Sequence, residues 1–218
     1  GLLNSLASKI IFTGSGTEAN NLALFGLRNE KGGFEGMHFI TTNIEHTSII
    51  EIFGEIERLG GEVTYLPVDQ NGILNPRDVF HAIKENTKAV SIIFVNNEIG
   101  TIQDIKTISK MIRKAEKELN ISVILHSDAS QAPNYIKTDF LRLGIDMLTL
   151  DAQKMYGPKG VGVLVCKNSV SLRPIIFGGK QEGNMRAGTE AVPLIVGMTK
   201  ALEIADRDRE SETVRISK

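Results

Sequence analysis

The 218-residue sequence has no tryptophan and a single cysteine, Cys166. One cysteine excludes an internal disulfide and a cysteine-rich metal site. It fits a reducing compartment, and a cytoplasmic setting is expected. Charge of one sign is not in excess either: 25 Lys+Arg against 26 Asp+Glu give a formal net charge of −1. That excludes the basic footprint of a nucleic-acid binder or of a protein held to an anionic membrane surface. No apolar run reaches the ~18 residues a membrane helix needs. Internal repeats, low-complexity tracts and Pro/Ser-rich linkers are absent, and no leader pattern opens the chain.

What is present is ordinary globular composition, 41% apolar and 23% charged, which excludes intrinsic disorder. At roughly 150 residues per domain the length suits one domain or slightly more. Residues Gly1–Ser8 run straight into a strand without a Met start, and Arg207–Glu210 read as mid-helix. The expectation is a segment of a longer protein.

Strand-length apolar runs alternate with helical periodicity. Strands are expected at Lys9–Thr13, His38–Thr42, Glu62–Val68, Ala89–Val95, Val123–His126, Met147–Leu150 and Val161–Val165. Pro174–Phe177 reads as a hairpin partner or adjacent strand. Helices are expected at Thr17–Asn29, His46–Leu59, Asp104–Asn120 and Glu190–Asp208, with a short one after Asn75-Pro76. This order predicts an α/β fold: a three-layer α/β/α arrangement on a mostly parallel mixed sheet. In such sheets ligands sit at the carboxyl ends of the strands.

Four segments just after predicted strands carry chemistry-bearing residues. In Gly14-Ser15-Gly16-Thr17-Glu18-Ala19, glycine lets the backbone approach an anion, and the helix behind it offers free N–H groups. The same residues also make a βα turn with Thr17 as N-cap, or a dinucleotide fingerprint; no P-loop lysine follows. Glu45-His46 heads a helix, where His46 is either a cap or a neutral ring facing a flat ligand. Asp128 ends an apolar strand and calls for a cationic partner, with Gln131 three residues on; a turn cap is the plainer reading. Lys154 follows a buried strand in the loop Asp151-Ala152-Gln153-Lys154-Met155-Tyr156-Gly157, a poor place for a solvated lysine, and burial would activate it as a nucleophile. Two supporting features are Asn96-Asn97 and the glycine-rich loop that holds Arg186. An arginine there suits a carboxylate or phosphate.

Taken together, these segments resemble pyridoxal-phosphate enzymes of fold type I, aminotransferase class V. Within that class they resemble the NifS/IscS-type cysteine desulfurases, from about Lys9 to Ala205. The most specific pieces are Asn96–Gly100, Lys154–Gly160 and Met185–Thr189. The resemblance implies that Lys154 forms the Schiff base with pyridoxal 5'-phosphate. Asp128 would pair with the pyridinium nitrogen, and Gln131 would bond the phenolic oxygen. His46 would stack on the ring and assist proton transfer. Asn97 would contact the substrate or the phenolic oxygen. Gly16 and Thr17 would hold the phosphate, and Thr189 would reach the phosphate of a partner subunit in a homodimer. L-cysteine would be the substrate, and an iron–sulfur scaffold or tRNA-thiolation protein the sulfur acceptor.

Two departures stand out. Where the family usually has His before the lysine and Ser or Thr three before it, this chain has Gln153 and Asp151. Gln153 is placed with the cofactor phosphate. A carboxylate is repelled by a phosphate dianion, so Asp151 is expected to face the lysines or solvent. The chain would then be the family's large domain over residues 1–218, without its N-terminal segment or its small C-terminal domain. Such a piece would by itself release no sulfide. A non-catalytic scaffold, another class V aminotransferase and a selenocysteine lyase are the alternatives. Cys166, in a strand pattern, reads as a core thiol.

Overall fold

The computed structural model describes residues 8–217. Among the described residues there are seven strands: β1 (Ser8–Thr13), β2 (His38–Thr42), β3 (Glu62–Leu66), β4 (Thr87–Ser91), β5 (Ile124–Asp128), β6 (Met147–Asp151) and β7 (Gly162–Lys167). They form one sheet in the order β1-β7-β6-β5-β4-β2-β3. Strands β2 to β6 run parallel to one another. Only β7 is reversed, antiparallel to both β6 and β1. The mostly parallel mixed sheet is therefore as expected.

The helices are α1 (Gly16–Phe25), α2 (Thr47–Arg58), α3 (Pro76–Ala82), α4 (Ile105–Leu119), α5 (Phe140–Leu143), α6 (Gln181–Asn184) and α7 (Val192–Ile216). They cover both faces. Phe39, Met147, Leu164 and Cys166 pack with residues of α1 and α2 in one core. Ile40, Leu148, Val163 and Val165 pack with residues of α3, α4, α5 and α7 in the other. Neighbours in a strand thus enter opposite cores, as the pleat requires. With both faces covered, the strands read as continuous apolar runs. The long amphipathic helix α4 is started by Asp104, whose side chain accepts from the Thr107 amide, and it buries Ile105, Ile108, Ile112 and Ala115.

Two expectations fail for physical reasons. Pro174–Phe177 forms no strand. Both hydrogen-bonding edges of β7 are already taken by β1 and β6, and Pro174 has no N–H to give. The segment is tied to the end of α1 instead, with Arg173 N donating to Gly26 O and the Arg28 guanidinium to Pro174 O. The Ala89–Val95 run leaves the ladder after Ser91 but stays bonded to its neighbour through Ile92 N–His126 O and Phe94 N–Asp128 O.

Cys166 is buried, and burial pushes its thiol up to about 11. At pH 8 that leaves little thiolate, so iodoacetamide should modify the native chain at least about a hundredfold more slowly than the unfolded chain. Equal rates, read by mass spectrometry, would place the thiol outside the core.

Candidate cofactor site

Because β7 alone is reversed, β1 points the same way as β2 to β6. The carboxyl ends of these strands, and the turns after them, open at one edge of the sheet. The turn after β1 brings Gly16 and Thr17, and that after β2 brings His46. The segment after β4 supplies Asn97. The end of β5 supplies Asp128 and Gln131, and the end of β6 supplies Asp151, Gln153 and Lys154. All of them line one cleft. Of the residues expected at the cofactor, Thr189 lies apart, exposed on the loop before α7. Lys159 does not line the cleft either.

The turn after β1 is held in place by backbone contact. A Cβ on Gly162 would stand 2.4–2.6 Å from Ser15 and Gly16 backbone atoms, so only glycine lets the turn rest on β7. Ser15, not Thr17, caps α1, accepting from Glu18 N. Thr17 stays exposed at the cleft. β1 is an edge strand whose single neighbour is antiparallel. A dinucleotide fingerprint needs its strand inside a parallel sheet, so that reading falls.

Asp128 is buried at the floor of the cleft. The cation expected for it is replaced by amides: its Oδ2 accepts from Asn20 Nδ2 at 2.8 Å and its Oδ1 from Ser130 N at 3.0 Å. The other Asn20 amide hydrogen goes to Ser48 Oγ at 2.9 Å, and the Ser48 hydroxyl lies 2.8 Å from His46 Nδ1. The Ser48 backbone N–H donates to the same nitrogen at 3.1 Å. Nδ1 is therefore an acceptor, and the proton of the neutral ring sits on Nε2. His46 is both the cap of α2 and a cleft residue, so its two sequence readings are compatible. Asn20, Ser48 and Ser130 are the residues that sequence reasoning missed. The available signal for Asn20 was its place one helical turn after Thr17.

Two buried titratable groups lie behind this floor. The Glu45 carboxyl accepts from Thr42 Oγ1 at 2.7 Å and Ile93 N at 2.9 Å through Oε1, while Oε2 is buried without a partner. Burial pushes it up to about 8; the hydrogen bonds oppose this, and the Asp128 charge adds to it. His126 bridges Ser91 Oγ and Thr149 Oγ1, and burial pushes its imidazole down to about 4.

Lys154 stands on a 3-10 helix, Ala152–Met155, rather than in a loop, and its side chain is exposed at the cleft instead of buried. Asp151 caps this helix through the Gln153 amide, and Tyr156 ends it in the left-handed region at φ 59°. Asp151 faces neither lysines nor solvent: its Oδ2 accepts from Gly16 N at 2.9 Å. Asn97 is exposed to the cleft, while Asn96 is spent on the backbone, accepting from Glu98 N and Ile99 N and donating to Ile44 O. Arg186 binds Glu18 of the chain itself at 2.8 Å, outside the cleft. Among the described residues no His/Cys/Asp/Glu group could hold a metal ion, and no helix is long and apolar enough to cross a membrane.

Known proteins agree with this architecture. The family described as aminotransferase class V matches residues 2–215, and the chain belongs to that family. It is 40% identical over 215 residues to the cysteine desulfurase IscS of Dictyoglomus turgidum, covering 99% of this chain and 53% of the relative. It is 43% identical over 217 residues to the cysteine desulfurase IscS of Clostridium botulinum, covering 99% and 52%. Among solved structures, a NifS-like protein superposes with a TM-score of 0.86 at 36% identity, covering 93% of this chain and 54% of that one. DndA from Streptomyces lividans superposes at 0.83 and 35% identity, covering 93% and 57%. The chain spans about half the length of the curated relatives it matches.

Proposed function

We propose that this chain is the cofactor-binding part of a pyridoxal-phosphate-dependent cysteine desulfurase. The whole enzyme would convert L-cysteine to L-alanine and pass the sulfur on as a persulfide to an iron–sulfur scaffold or tRNA-thiolation protein. The observation that carries this reading is one cleft lined by Asp128, Gln131, His46 and Lys154. The residues fit the ring of the cofactor. A buried carboxylate tied to neutral amides still has lone pairs for a protonated ring nitrogen, and Gly16 leaves open a space that a Cβ would close against Asp151 and Ser130. The bound cofactor supplies an electron sink for negative charge at the substrate α-carbon.

Asp128 holds a proton on the ring nitrogen, and the Asn20–Ser48 chain keeps Asp128 and His46 in register. Gln131 donates to the phenolic oxygen, and His46 covers the ring face. Lys154 Nζ is the attachment point and the group that holds the α-proton. Asn97 orients the amino acid. Gly16, Thr17 and Gln153 serve the phosphate end, and Thr189 the cofactor of a second subunit in a homodimer. Cys166 lies in the core and away from the cleft, so the sulfur-accepting thiol is not Cys166. The expected setting is cytoplasmic.

The test is borohydride reduction of the purified chain with pyridoxal phosphate, followed by peptide mapping. The label should fall on Lys154, and L-cysteine added before the reduction should diminish it. Label on Lys159 or Lys180, or none, would overturn the reading.

A further inference from the structure

The first turn of α1 faces the cleft, but its donors are largely used. The Gly16 N–H goes to Asp151 Oδ2 at 2.9 Å and the Glu18 N–H to Ser15 Oγ at 3.1 Å. Asp151 is only 7% exposed and is pinned from its other side, where Oδ1 accepts from Gln153 N at 3.1 Å. It packs so tightly on the turn that a Cβ at Gly16 would stand 3.0 Å from the Asp151 Cβ. Its hydrogen-bond partners are amides and not a cation. The same cleft holds a second carboxylate, Asp128, and one lysine, Lys154. Carboxylates thus outnumber the lysine before any anionic ligand arrives.

We propose that Asp151 is a built-in anion at the amino end of α1 and sets the cofactor specificity of the site. It disfavours a phosphate dianion and narrows the difference in affinity between pyridoxal phosphate and its unphosphorylated form, pyridoxal. This rests on the proposed cofactor site and adds which form of the cofactor that site accepts. A phosphate must either displace the carboxylate from the Gly16 N–H or lie beside it. Like charges in a partly buried cleft repel far more strongly than in water. The hydroxymethyl group of pyridoxal carries no charge and meets no such opposition.

The experiment compares binding of pyridoxal phosphate and of pyridoxal to the wild-type chain, Asp151→Asn and Asp151→Ser, by equilibrium dialysis. The amide is nearly isosteric, and serine still caps the 3-10 helix, so between them the two variants separate charge from local folding. Both variants should bind pyridoxal phosphate at least about tenfold more tightly than wild type, equal to about 1.4 kcal/mol, with pyridoxal changed by less than about threefold. Equal gains for the two ligands, no gain, or weaker binding of the phosphate form would overturn the inference. Borohydride fixation separates the levels of failure. If neither ligand is fixed on Lys154 in any of the three proteins, the site itself is refuted. If both are fixed there but the affinity ratio is unmoved by Asp151→Asn, this inference fails alone.

Discussion

Lys154→Ala should abolish borohydride-fixed incorporation of pyridoxal phosphate while leaving the fold intact. The side chain is exposed at the cleft. What the surrounding structure holds is its backbone carbonyl, which accepts from Asn134 Nδ2 at 2.7 Å. Alanine keeps that carbonyl. A substitution at such a position changes stability by no more than about 0.5 kcal/mol, a shift of about 1–2 °C in thermal midpoint. Lys154→Arg should fail in the same way, because a guanidinium stays protonated and does not attack an aldehyde. The measurements are label stoichiometry by mass spectrometry and the midpoint by calorimetry. Substantial label remaining in Lys154→Ala would assign the attachment to another lysine. A collapse in midpoint would make Lys154 a structural residue.

The second large effect is thermodynamic and belongs to Glu45. The unfolded chain releases this proton near pH 4.5, the folded chain only near pH 8. Stability from the group is therefore full below pH 4.5, is lost as pH rises between the two values, and levels off above pH 8. That gap corresponds to about 5 kcal/mol across the window. His126 acts in the opposite direction. Its folded value is lowered from 6.5 to about 4, so its stabilisation is full above pH 6.5 and is lost as pH falls toward 4. The range from pH 6.5 to 8 isolates Glu45, and there the wild type should lose about 2 kcal/mol relative to Glu45→Gln. The amide keeps the oxygen that accepts from Thr42 and Ile93 and has no proton to lose. Urea unfolding of both proteins across pH 6–9 tests this; parallel curves would show that Glu45 is already ionised in the fold.

Much of this was legible in the sequence because the fold depends on local patterns. β2 lies where its apolar run places it, α4 follows its isoleucine spacing, and α3 begins at the Asn75-Pro76 signal. The four segments that follow strands meet in one cleft because a sheet running mostly one way must gather its carboxyl ends. What stayed hidden depends on contacts between distant segments. Pro174–Phe177 has strand composition, but β7 has no free edge for it. Of the partners of Asp128, the Ser130 amide two residues on is the turn cap its segment already offered, but Asn20 comes from α1, 108 residues away, and spacing within one segment cannot show it. The same holds for Asp151, whose acceptor role toward Gly16 joins residues far apart in the chain. α5 is too short for periodicity to register.

The pairing of Thr13 with Gly162 has a kinetic side. Among the described strands, the one that delivers α1 to the cleft comes first in sequence, yet the partner it docks on comes last. Contacts between such remote segments carry a large loop-closure entropy and slow the folding of the chains that depend on them. During synthesis β2 to β6 can pair as they emerge, while β1 waits for β7 to leave the ribosome. The end of the cleft built from the β1–α1 turn against Asp151 is then completed only when the sheet closes. A ligand that touches both the β1–α1 turn and Asp151 selects chains in which β1 has docked on β7.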